Sequence, residues 1–176
     1  LNGGAGVSPG TTVQYFVVAQ DQTATPNVGI NRGVFALRPA SVALTAAAFP
    51  IAGVINSYQI VQAFSGVYSV PGSYPSLTNA DGIFKALNAG TQTGDVVIEI
   101  TADLTGETGQ YSLVQLSQSP PGSNFTVTIK PSGAARTITG TGTGGRLMQL
   151  WGADRVTIDG SLSGGTDRSL SLINPN

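Results

Sequence analysis

Apolar residues along this chain alternate with polar ones far more often than they recur at helical spacing. In "TVQYFVVA" (12–19), Val13, Tyr15, Val17 and Ala19 fall on one side, the period of a β-strand. The polar run "QDQTATPNVG" follows as a turn punctuated by Pro26 and Gly29, and "VFAL" (34–37) is the expected returning strand. Two strands do not make an independent domain. Residues 1–40 are therefore expected to supply the last strands of a β-sandwich module whose earlier strands lie upstream, with 41–57 as a connector broken by Pro50.

From residue 58 onwards the texture changes. "SLTNADGIFKALNAG" places Leu77, Ala80, Phe84 and Leu87 at helical spacing, which predicts a helix over 76–89 with Ser76 as N-cap and Gly90 as stop. Gly82 weakens its middle. Strand patterns follow at Val96/Ile98/Ile100, Phe125/Val127/Ile129, Ile138, Met148/Leu150, Val156/Ile158 and Leu170/Leu172. The pairs Ile129/Leu150, Leu150/Leu172 and Ile138/Ile158 are separated by nearly equal lengths of chain. A repeat of about 20 residues with two strands per turn predicts a parallel β-solenoid in which like positions stack into ladders. The expected fold is all-β: 58–176 forms the N-terminal cap and first coils of a right-handed parallel β-helix that continues beyond residue 176, its N-terminal end covered by the 76–89 helix. An antiparallel sandwich is the alternative, since short strands at this spacing suit it too.

Composition narrows the chemistry. Charged residues make up only 10% of the chain and the net charge is −1, with Lys85 and Lys130 the two lysines. Phosphate binding needs a basic stripe, so nucleic acid and anionic membranes are not expected partners. Cysteine and histidine are absent, which excludes disulfides, Cys/His zinc sites and Ser-His or Cys-His catalysis. No apolar run is long enough for a membrane-spanning helix, so no membrane insertion is expected. A Ser/Thr/Gly-rich, Cys-free chain suits a secreted or surface protein of a bacterium. The opening "LNGGAGVSPG" without Met and the stop at "SLSLINPN" predict a fragment of something longer.

The stretch "GVYSVPGSYPSLTNADGIFKALNAGTQTGDVVIEITADLTGET" with "FTVTIKPSGAARTITGTGTGGRLMQLWGADRVTIDG" resembles the start of the β-helix region in large secreted, adhesin-like surface proteins of Bacteroidota. "YFVVAQDQTATPNVG" resembles the last two strands of an immunoglobulin-like or fibronectin-like module from such proteins. The resemblance implies a β-helix, a cell-surface location, and adhesion or contact with polysaccharide. Other domains, or copies of the same protein, are the further partners it implies.

Some β-helix proteins are polysaccharide lyases or glycosidases, which need paired carboxylates, or a calcium-binding acidic cluster with a basic proton acceptor. The candidates are Asp154, Arg155 and Asp159, with Asp167 and Arg168 nearby. Asp159 precedes Gly160, ordinary turn chemistry, and Asp154-Arg155 reads as a bend held by a local hydrogen bond or ion pair. No catalytic residue is assigned. Trp151 follows Leu150 directly, so alternation points it outward, either as a platform for a sugar or packed on a neighbouring loop. Asp21 and Asn27 offer too few oxygens for calcium, and no metal or other cofactor is assigned. "GTGTGG" (140–145) lacks the phosphate-loop ending and reads as a corner, and the threonines at 126, 128, 137, 139 and 157 read as exposed strand residues. The expected role is adhesive or structural. Rival readings are the non-catalytic front of a carbohydrate-active enzyme, or a filament or stalk subunit.

Overall fold

The computed structural model describes residues 6–175, and these divide into two units between Ile60 and Val61. Residues 1–5 and 176, which carry the expected broken ends, lie outside the described residues.

In the first unit, β1 (Thr12–Tyr15), β2 (Val18–Gln20), β3 (Val28–Ile30) and β4 (Asn56–Gln59) form two antiparallel ribbons, β1 with β4 and β2 with β3. The expected hairpin of 12–19 with 34–37 does not form. Asp21 explains the earlier return: its carboxylate accepts bonds from Thr23 N, Thr23 Oγ, Asn27 N and Asn27 Nδ2, closing the turn so that 28–30 meets 18–20. Val34 makes a single antiparallel bridge to Ala52. The stretch 41–57 thus contributes Ala52 and the start of β4 to this unit's pairing.

The second unit is a parallel β-solenoid of about four turns, and the described chain is mostly β. Its elements are β5 (Ala63–Val70), α1 (Ile83–Ala89), β6 (Thr91–Ile100), β7 (Leu113–Val114), β8 (Val127–Pro131), β9 (Arg136–Thr139), β10 (Leu150–Trp151), β11 (Val156–Ile158) and β12 (Leu170–Ile173). They stack in three sets. The first runs β5-β6-β8-β11, the second joins Leu104 to β9 and β12, and the third joins β7 to β10, all with parallel pairing.

The register corrects the expected period. Val96 aligns with Val127 and then with Val156, Ile138 aligns with Leu172, and Leu113 aligns with Leu150. Each of these steps is about half as long again as the expected repeat, or longer. A coil therefore carries three strands rather than two. The shorter spacing compared strands on different faces. Buried Ile98, Ile129, Ile138 and Leu113 face the interior, the inward half of a period-2 pattern. Stacked coils supply each other's missing apolar partners, as repeat architectures require.

The predicted helix begins later than expected. α1 starts at Ile83 with Gly82 as its N-cap residue, and Ser76 lies in a turn. Ser76 Oγ donates to the Glu107 carboxylate and accepts from Thr78 N and Asn79 N, so residues 76–79 are held in a turn anchored on a neighbouring coil. Ile83, Phe84 and Leu87 of α1 are buried together with Leu77, Phe64 and Val70.

Candidate functional site

The corner between β10 and β11 holds the sequence candidates Asp154 and Arg155, and it forms a cleft of about 250 Å³. Three glutamines line it with them. Gln92 pairs in register with Gln118 through a parallel bridge, and Gln118 Nε2 donates to Gln92 Oε1 at 3.2 Å and to Phe125 O at 3.2 Å. Gln92 Nε2 in turn donates to Thr126 O at 2.8 Å. Across the cleft Gln115 Nε2 donates to Asp154 Oδ2 at 3.0 Å. Ser123 completes the polar wall. Fixed amides and one carboxylate, facing a shallow concavity, suit hydroxyl-rich ligands that donate and accept in alternation.

Asp154 and Arg155 are adjacent but form no ion pair; among the described residues Lys130 and Glu99 make one, at 3.4 Å. Arg155 has φ 54, the left-handed region, where the other described residues with positive φ are glycines. Its carbonyl accepts from Val127 N, while its guanidinium has no hydrogen bond or ion pair among the described residues. Trp151 is 69% exposed on the outer side of β10 and pairs with Val114, the residue before Gln115. Leu150 stacks on buried Leu113, so alternation turns the indole outward; Trp151 is not among the residues that line the cleft.

Asp159 is not part of this cleft. It sits beyond the other end of β11, where its Oδ1 accepts from Ser161 Oγ at 2.7 Å and Ser161 N at 2.9 Å. Those bonds hold its carboxyl below the usual range, helped by Lys130 and opposed by Asp167. Asp167 is lowered likewise by the Ser169 hydroxyl and Leu162 N–H, and Ser169 Oγ donates to Asp167 Oδ2. Both carboxylates close a coil corner. Asp154 and Asp159 thus lie at opposite ends of a strand, so they do not form the facing pair that glycoside hydrolysis uses. Among the described residues no group of three acidic side chains converges on a point that could hold a metal ion. At Asp21 the facing Asn27 presents its N–H donors, and Asn27 Oδ1 accepts from Arg38 instead.

Two features escape sequence reading. The glutamines sit on separate coils, and only the spacing of Gln115 and Gln118 hinted that they share a corner. Glu107 is buried, its carboxylate accepting from Ser76 Oγ, Leu77 N, Thr78 N and Thr78 Oγ. Nothing in "DLTGETG" marks it as an interior anchor. Gly140 allows the next coil to lie on it, because a Cβ there would fall 1.9 Å from the Glu107 carbonyl oxygen. Comparison with protein-family models, with curated proteins and with solved structures found no match to this chain.

Proposed function

We propose that the chain is part of a secreted, multi-domain cell-surface protein with an adhesive or structural role, contacting polysaccharide at the corner cleft. In this reading the solenoid winds right-handed, α1 is its N-terminal cap, and the first unit is the end of an immunoglobulin-like module. The observation that carries it is the cleft walled by Gln92, Gln115, Gln118 and Asp154, with Trp151 exposed on the strand that leads into that corner. An aromatic face covers the apolar side of a sugar ring while amides and a carboxylate take its hydroxyls. The carboxylates at Asp159 and Asp167 close corners and Glu107 anchors a turn, which supports binding without turnover.

A glycan array joined to a polysaccharide-turnover screen, with and without calcium, tests this. Binding without release of sugar is expected, and Trp151→Ala is expected to weaken it by about tenfold. Release of reducing-end or unsaturated sugar would favour the enzyme reading. Absence of binding would remove the carbohydrate role.

A further inference from the structure

In a parallel ladder one residue donates its N–H to a carbonyl of the next strand, and its own carbonyl accepts from the N–H two residues further on. Gln92 does this with its backbone. Its N–H donates to Ser117 O at 2.8 Å and its carbonyl accepts from Ser119 N at 2.9 Å, on either side of Gln118, its partner in register. The same coil runs through 106–108 and 112–114, and there the earlier chain that lies against it is not extended. Asn79 sits in a turn, its N–H donating to Ser76 Oγ and its carbonyl accepting from Gly82 N. Asn88 lies in α1, where peptide groups bond along the helix axis. Neither residue has a strand backbone to offer.

Their side chains supply what the backbone does not. Asn88 Nδ2 donates to Ser112 O at 2.8 Å, and Asn88 Oδ1 accepts from Val114 N at 3.2 Å. Asn79 Nδ2 donates to Gly106 O at 3.0 Å, and Asn79 Oδ1 accepts from Thr108 N at 2.9 Å. Each carboxamide therefore spans a carbonyl and the N–H two residues further on, the pattern that Gln92 makes with its peptide groups. A carboxamide can do so because it carries an N–H donor and a C=O acceptor side by side, as a peptide does.

The residues in between face the following coil: Leu113 N donates to Gln149 O, and Glu107 N to Thr139 O. The groups that Asn79 and Asn88 hold thus point the other way, along the opposite edge of the same coil. Thr108, Ser112 and Val114 are half-buried there, so water replaces a lost partner poorly. An edge of this kind, left open, is a template for another strand. We infer that Asn79 and Asn88 are strand surrogates, which close this edge where the chain leaves extended structure and so keep it from pairing with an extended segment of a second copy. This holds whatever the corner cleft binds.

Helix propensity and edge closure predict opposite results for Asn88→Ala in the full chain. Alanine is the better helix former, so propensity alone would tighten α1 and slow exchange beside it. Loss of the surrogate should instead speed hydrogen exchange of the Val114 amide by about tenfold, with Thr108 unchanged. Asn79→Ala should do the converse, exposing Thr108 and sparing Val114. The double variant leaves both stretches open, and in sedimentation velocity at up to about 1 mM it should associate more than the unsubstituted chain at the same concentration. If the double variant loses the circular dichroism of the folded chain, Asn88→Ala alone takes its place in that measurement. Val114 protection that is unchanged or raised in Asn88→Ala, protection lost equally at both stretches in either single variant, or an open edge that associates no more than the unsubstituted chain overturns the inference.

Discussion

The two units put similar sequence texture to different use. In the solenoid, fifteen apolar residues form one buried cluster from Phe64 to Leu147. In the first unit Val28 and Ala48 are the buried apolar side chains among the described residues, while Leu37 stays 64% and Val54 75% exposed. Both are built mainly from short β-strands. The difference lies in layering. A two-stranded ribbon has one neighbour and no second layer, whereas a coil is covered on its inside by its own other faces and above and below by adjacent coils. Burial therefore comes from coil stacking, and strand propensity alone does not supply it.

The sharpest test of that contrast is a pair of truncations followed by denaturant unfolding. Ile129→Ala removes a side chain buried at the centre of a ladder and should cost about 3 kcal/mol. Val34→Ala, at an exposed position, should stay within about 0.5 kcal/mol. Equal losses would mean that the first unit owns a core after all.

A smaller effect separates coil stacking from apolar burial. Glu107→Ala leaves Leu77 N without its acceptor in a buried turn, takes from Thr78 N one of its two, and should cost about 2 kcal/mol. Hydrogen exchange at those two amides should accelerate before exchange in β8. Were their protection unchanged, the turn would be held by Leu77 burial alone.

Acid gives the mildest comparison. Asp21 is held down to about 2 by hydrogen bonds from Asn27 and Thr23, against an ordinary 3.8. A depressed carboxyl favours folding while it is charged, so its contribution is full above the ordinary value and fades as pH falls from about 4 towards 2. Amide shifts of Thr23 and Asn27 should follow that window, and Asp21→Asn should remove the dependence. The solenoid corners at Asp159 and Asp167 should loosen on the same side of neutrality, since Ser161 and Ser169 lower them too. A turn at 21–27 that is unchanged at pH 2 would show the backbone ribbon, rather than the carboxylate, to be what holds it.

Much of the architecture could be read from alternation. Val96/Ile98, Val127/Ile129 and Val156/Ile158 are all strands, and parallel stacking of coils was expected, but the partners that meet are Ile129 with Ile158 rather than Ile129 with Leu150 or Ile138 with Ile158. The period was misread because Ile129, Leu150 and Leu172 look alike while belonging to three different stacks. Identical chemistry on three faces hides which face a residue occupies. Ser76 misled for a related reason: its hydroxyl accepts from Thr78 N and Asn79 N as a cap would, but it also donates to Glu107, far along the chain on a neighbouring coil, and the turn so anchored delays the helix to Ile83. At the candidate site the bend at Asp154 and Arg155 was legible from its polar residues between two strands. Its wall of glutamines was not, since Gln92 arrives from the preceding coil.

Read alone, the sequence determined the β character, the absence of thiol and imidazole chemistry, and the positions at which strands turn. Those follow from local rules: side-chain period, turn residues, and composition. Tertiary structure decided the three-strand coil, the burial of Glu107 and the glutamine-walled corner cleft. Each of these depends on residues a full coil apart in sequence meeting across adjacent coils, and contact at that separation is set by how the coils stack, which no local pattern encodes.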